Sequence, residues 1–172
     1  MKKRGPLIFL WTGNGWGKTT SAFGAALRSL GHNKKVVVIQ FMKGRKDIGE
    51  YKIQKKLNNL TVKQFGRPQW VNLKNPSLQD KKSAQQGLLY AKKIAKTKPF
   101  LLVLDELNLA AKINLLGKKE VLELLEEIPS GVHVYLTGRY APRWLINKAD
   151  YVNEVVMKKG PKRLIGEKGI DY

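Results

Sequence analysis

Nine residues, Thr12-Gly13-Asn14-Gly15-Trp16-Gly17-Lys18-Thr19-Thr20, hold the chemistry that is easiest to name. Glycines let successive backbone N–H groups turn inward and form a nest for phosphate oxygens. The segment that follows has helical spacing, and its free N–H groups and positive dipole end reinforce the nest. Lys18 is placed to neutralise terminal phosphate charge, and the Thr19 hydroxyl to hold Mg²⁺. Gly13, Asn14, Gly15, Trp16, Gly17, Lys18, Thr19 and Thr20 are therefore read as a P-loop that binds a nucleoside triphosphate. The strict pattern has glycine six residues before the lysine; here that residue is Thr12.

A second signal is the run Leu101-Leu102-Val103-Leu104 followed by Asp105-Glu106. Carboxylates at the end of a buried strand beside the P-loop can bind Mg²⁺ directly or through water, and Glu106 can also orient a water. Arg139, after the strand-ending Thr137-Gly138, is suited to neutralising a phosphate. Arg28 shares a helix face with Thr20 and Gly24, so it points toward the phosphates or a neighbouring subunit. His32 and His133 form no metal-ligand or triad pattern. The sequence thus offers a phosphate cradle and a Mg²⁺ site but no protein nucleophile: the attacking group is water or part of the substrate.

These groups need elements to position them. The apolar run Leu7–Trp11 reads as a strand entering the loop, and Lys18–Leu30 as a helix with Phe23, Ala26, Leu27 and Leu30 on one face. Further strands are expected at Val36–Phe41, Leu60–Phe65, Phe100–Leu104, Val132–Leu136 and Tyr151–Met157. Helices are expected at Ile48–Leu57, from a Ser77 cap to Thr97, at Lys118–Ile128 and at Pro142–Lys148. In the Ser77-capped helix, Leu78, Ala84, Leu88, Ala91 and Ala95 are expected to face inward. This alternation predicts an α/β fold with a mostly parallel central sheet and helices on both faces. Ligands of such sheets lie beyond the carboxyl ends of the strands. The P-loop, Gln40-Phe41-Met42-Lys43-Gly44, Asp105-Glu106 and Thr137-Gly138-Arg139 all fall there.

At 172 residues the chain is long enough for one domain with its own core. No run approaches the roughly 20 apolar residues that cross a bilayer, so no membrane partner is expected. Cysteine is absent, which removes disulfides and thiol catalysis and points to the cytoplasm. The net charge of +20 favours polyanions. Yet 26 of the 33 basic residues are lysines, spread in doublets along the chain, whereas base-reading surfaces lean on arginine. The charge reads as a solvated surface rather than a nucleic-acid interface.

Taken in order, the loop with Ala22-Phe23-Gly24 and Ala26-Leu27-Arg28, then Gln40–Gly44, Phe65-Gly66-Arg67, Leu104–Asn108, Leu136–Pro142 and the ending Lys168–Tyr172, resemble the CobA-type ATP:corrinoid adenosyltransferases. The resemblance implies a three-layer RecA-like P-loop NTPase fold. Residues 1–157 would form the P-loop domain, with 158–172 an irregular tail of the same unit. It implies a homodimer that transfers the 5′-deoxyadenosyl group of ATP to the Co(I) centre of a corrinoid and releases triphosphate. A reductant such as a flavoprotein would supply Co(I). Cobalt would then be the nucleophile that the protein lacks. The catalytic residues implied are Lys18, Thr19 and Glu106, with Thr19, Glu106 and Asp105 around Mg²⁺. Trp70, and after it Phe65, would shape the corrinoid pocket. Two departures stand out: Trp16 replaces a lysine usual in the family's loop, and Met157–Gly166 is shorter than usual and lacks a His and an Asp. The alternative class is a RecA-like ATPase that binds nucleic acid.

Overall fold

The apolar, β-branched run Val36-Val37-Val38-Ile39-Gln40-Phe41 is buried along its whole length, which only a strand covered on both faces allows. In the computed structural model, which describes residues 5–161 and 166–171, this strand (β2) lies within a six-stranded, wholly parallel sheet. Its companions are β1 (Ile8–Thr12), β3 (Leu60–Phe65), β4 (Leu101–Asp105), β5 (His133–Thr137) and β6 (Tyr151–Glu154). Their order across the sheet is β3-β2-β4-β5-β1-β6. Parallel strands need crossovers, and helices supply them. They are α1 (Lys18–Gly31), α2 (Gly49–Lys52) with a 3₁₀ turn at Ile53–Lys55, α3 (Leu78–Ala95), α4 (Leu107–Lys112), α5 (Lys118–Glu126) and α6 (Arg143–Ile146).

Side chains alternate along each strand and so build two cores. Val37, Ile39, Phe41, Leu102, Leu104, Val134 and Leu136 pack under α3, α4, α5 and α6. Val36, Val38, Leu101, Val103 and Tyr135 pack under α1, with Tyr51 and Leu57 from the α2 region beside them. The helix α1 approaches through small residues, with Ala22, Ala26 and Ser29 buried, while Leu27 is exposed. The apolar face of α1 is thus turned from the one that periodicity suggests. In α3, Ala84, Leu88, Ala91 and Ala95 are buried as expected, but Leu78 is exposed in the first turn.

The sheet expected to be mostly parallel is parallel in all six strands. Two differences remain. The helix α4 lies in a stretch whose sequence shows no helical stripe, because all its residues up to Ala111 are buried on every side. Finally, β4 is not beside the P-loop strand, since β5 lies between them. The basic start Met1–Arg4, residues 162–165 of the tail and the terminal Tyr172 lie outside the described residues.

Candidate active site

All six strands run the same way, so six loops open at one edge of the sheet. Residues 13–17 follow β1, Met42–Gly44 follow β2, Gly66 follows β3, Glu106 follows β4, Gly138–Tyr140 follow β5 and Val155 follows β6.

The P-loop ends on Gly17, whose left-handed backbone (φ 95°) starts α1 without a side-chain cap. The first-turn amides of Lys18, Thr19 and Thr20 therefore have no partner within the helix and face the loop's opening. Gly13 is also left-handed, and a Cβ there would stand 2.4 Å from the Val155 carbonyl oxygen. That contact seats the loop on the chain leaving β6. Gly15 N–H donates to the Val155 oxygen (2.7 Å), and Met157 N–H donates to Asn14 Oδ1 (3.3 Å). The Gly15 amide is thus used inside the protein. Trp16 projects outward, half exposed. Thr12, in place of the pattern's glycine, accepts a hydrogen bond at Oγ1 from Ala141 N–H (3.1 Å) and ties the P-loop to the Arg139 loop.

Lys18 is buried and its ammonium folds back on the Gly15 carbonyl. Burial lowers its pKa from the ordinary lysine value, with the Glu106 charge opposing. Thr19 Oγ1 donates to Asp105 Oδ1 at 2.8 Å. The P-loop therefore meets the strand-ending acids through the first turn of α1, although their strands are not neighbours.

Asp105 is fully buried and accepts from four side chains: Thr19, Thr137 (2.6 Å), Gln40 (2.9 Å) and Lys43 (2.7 Å). Burial opposes its charge, but the Lys43 ammonium and these hydrogen bonds outweigh that and hold its pKa below the usual carboxylate range. Lys43 also donates to Thr19 Oγ1 (3.3 Å). Burial works against its charge too, yet Asp105 lifts its pKa above the ordinary lysine value.

Glu106 contrasts with its neighbour. It has a left-handed backbone (φ 63°), its N–H donates to Thr137 Oγ1 (3.1 Å), and its Oε2 is buried with no hydrogen-bond partner among the described residues. Burial first, and repulsion from Asp105 second, raise its pKa. A strained, desolvated carboxylate beside a hydroxyl and a phosphate cradle is a fitting donor set for Mg²⁺, which takes hard oxygens and completes its shell with phosphate. Asp105 accepts from four side chains and so orients Thr19, and Lys43 is the charged donor of the four.

Arg139 is exposed at the end of β5, close enough to Lys18 and Glu106 to influence both charges. Arg28 is different. It lies ten residues beyond Lys18 in α1, about 15 Å along the axis at the α-helical rise. There it lines a groove of about 800 Å³ with Phe9, Trp11, Tyr135 and Tyr151, so it is not brought to the phosphate cradle. Phe65 packs on Tyr90 of α3 at 5.5 Å between ring centroids and belongs to the edge of the core. Trp70 is 98% exposed in the loop between β3 and α3. That loop is pinned at both ends: Arg67 donates twice to Asp80 (3.1 Å each), and Asp80 forms the capping box of α3 with Ser77. Its start is also locked to the Lys43 loop. A Cβ on Gly66 would stand 2.4 Å from the Met42 carbonyl carbon, and one on Gly44 2.6 Å from that of Arg67.

Several site residues were not assigned from sequence. Gln40, Lys43 and Thr137 stood in stretches expected at the ligand-binding edge but carried no individual role, and their common target is Asp105. Asn108 donates to the Trp11 and Gly138 carbonyls (3.0 and 3.1 Å) and so ties the ends of β1 and β5 together. The two histidines lie away from this edge, His32 after α1 and His133 at the amino end of β5.

A sequence model described as "ATP:corrinoid adenosyltransferase BtuR/CobO/CobP" matches residues 4–172. The chain is 35% identical to a corrinoid adenosyltransferase of Escherichia coli K12 over 96% of its length and 85% of that protein's. It is 32% identical to one from Pseudomonas aeruginosa over 99% of its length and 85% of that protein's. It is also 33% identical to the corrinoid adenosyltransferase CobA of Salmonella typhimurium, covering 96% and 85% respectively. Among solved structures, a KaiC-like protein from Pyrococcus horikoshii shares the fold, with a TM-score of 0.56 at 18% identity, covering 91% of this chain and 74% of that one.

Proposed function

The chain belongs to the ATP:corrinoid adenosyltransferase family, and from that premise we propose that it transfers the 5′-deoxyadenosyl group of ATP to the Co(I) centre of a reduced corrinoid. The cobalt electron pair forms a bond to the ribose 5′-carbon as the bond from that carbon to the triphosphate oxygen breaks, and triphosphate departs. The protein then needs no nucleophile of its own. Its tasks are to hold the 5′-carbon in line and to stabilise the leaving charge.

Each residue has a part in those tasks. The amides from residue 16 to Thr20 receive phosphate oxygens. Lys18 exchanges the Gly15 carbonyl for the triphosphate, and Arg139 adds charge at the rim. Thr19 and Glu106 would hold Mg²⁺, which when bound offsets triphosphate charge, while Asp105 fixes the Thr19 hydroxyl. Trp70, on its pinned loop, offers an exposed ring to the corrinoid. Further parts of the proposal are a homodimer, a separate reductant such as a flavoprotein, a single catalytic unit that includes the tail, and action in the cytoplasm.

The observation that carries this reading is the Thr19–Asp105 hydrogen bond at 2.8 Å, which closes the P-loop onto the strand-ending acids. Anaerobic incubation with ATP, Mg²⁺ and a Co(I) corrinoid is expected to give the adenosylcorrinoid spectrum with stoichiometric triphosphate. Orthophosphate release without a cobalt–carbon product would overturn it.

A further inference from the structure

The oxygens that would serve Mg²⁺ already have a cation against them. Lys43 Nζ lies 2.7 Å from Asp105 Oδ2 and 3.3 Å from Thr19 Oγ1, between the end of β4 and the first turn of α1. Asp105 is fully buried, whereas the Lys43 side chain keeps 29% of its surface in solvent. The acid is fixed and its partner has a way out. Lys43 follows Met42, whose left-handed backbone (φ 58°) turns the chain after β2 back toward the site.

We propose that Lys43 is the protein's resident counter-ion: it occupies the cation position between Thr19 and Asp105 until metal and triphosphate arrive together, and then moves onto the triphosphate. The physical reason is charge. An ammonium and a divalent ion cannot share one small site without an anion between them. The triphosphate is such an anion, with oxygens enough for both. Lys43 therefore keeps bare metal out, spares Asp105 an unpaired charge in the empty protein, and makes metal binding depend on nucleotide. It would also supply a cationic contact to the triphosphate from β2, in a chain whose loop carries Trp16.

This inference rests on the metal–nucleotide reading of the site, and the test separates the two. Mn²⁺, which takes the same oxygen ligands as Mg²⁺, is titrated by electron paramagnetic resonance with and without ATP, in the absence of corrinoid. Wild type is expected to bind Mn²⁺ weakly alone and tightly with ATP. Lys43→Met, of similar length but uncharged, is expected to bind Mn²⁺ alone at least about tenfold more tightly and ATP more weakly. Lys43→Arg, which keeps the charge, is expected to behave like wild type toward Mn²⁺ alone. Thermal melting covers the case of an unstable variant. Lys43→Met should melt lower than wild type, or fail to fold, when metal-free, and Mn²⁺ should restore it, while wild type without nucleotide should not shift. Equal affinity of wild type and Lys43→Met for Mn²⁺ alone overturns the proposal, as does a destabilised variant that millimolar Mn²⁺ does not rescue. Failure of wild type to bind ATP with Mn²⁺ would overturn the underlying reading instead.

Discussion

Thr137 Oγ1 donates to Asp105 Oδ1 at 2.6 Å and accepts from Glu106 N–H at 3.1 Å, so one hydroxyl at the end of β5 aligns both acids at the end of β4. Thr137→Val keeps the shape and removes both bonds. Because the first goes to a buried carboxylate, the loss should be about 2 kcal/mol, read as a lower urea midpoint with unchanged slope. A midpoint equal to wild type would mean that Asp105 does not depend on this donor.

Glu106 should weaken the empty protein at neutral pH. Its pKa is raised by burial and by Asp105 from an ordinary 4.5, so the folded state binds its proton more tightly than the unfolded state does. Stability then falls as pH climbs from that ordinary value through the raised one, and the cost is complete above it. Glu106→Gln removes the charge at nearly the same size. Without ligand, the variant should melt above wild type at pH 7.5 and match it by about pH 4.5, while turnover drops roughly a hundredfold. A variant that melts lower at pH 7.5 would show that the carboxylate is a structural anchor.

How much of this was legible in the sequence depends on how local each signal is. The P-loop, the Ser77 cap and the strand Leu101–Asp105 are written in contiguous residues, and their places along the chain were found closely. The site's wiring was not. That Gln40, Lys43, Thr19 and Thr137 converge on Asp105 depends on strand order, and nothing in Asp105-Glu106 tells which acid is saturated. Phe65 and Arg28 show the converse. Each belongs to a suggestive stretch, yet lateral packing sends one toward Tyr90 and the other into a groove behind α1. Helix α4 escaped because a segment buried all round carries no amphipathic stripe.

Lys18→Ala should leave folding nearly intact, since the hydrogen bond of its ammonium goes to the Gly15 carbonyl of its own loop. Calorimetry should show loss of MgATP binding, and turnover should fall by roughly two orders of magnitude or more. Wild-type affinity in this variant would remove the loop from the nucleotide site.

Trp70→Ala tests the acceptor side alone. A side chain 98% exposed contributes little to stability, so the melting curve should move by less than about 0.5 kcal/mol. The Michaelis constant for corrinoid should rise while ATP affinity, measured separately, stays unchanged. Equal losses toward both substrates would assign the ring to general architecture.

The interlock of Gly44 with Gly66 has a mechanical consequence. Two neighbouring crossover loops are meshed, main chain on main chain, with no room even for a methyl group. A methyl added at either glycine would therefore wedge the turn that carries Lys43 away from the one that leads to Trp70.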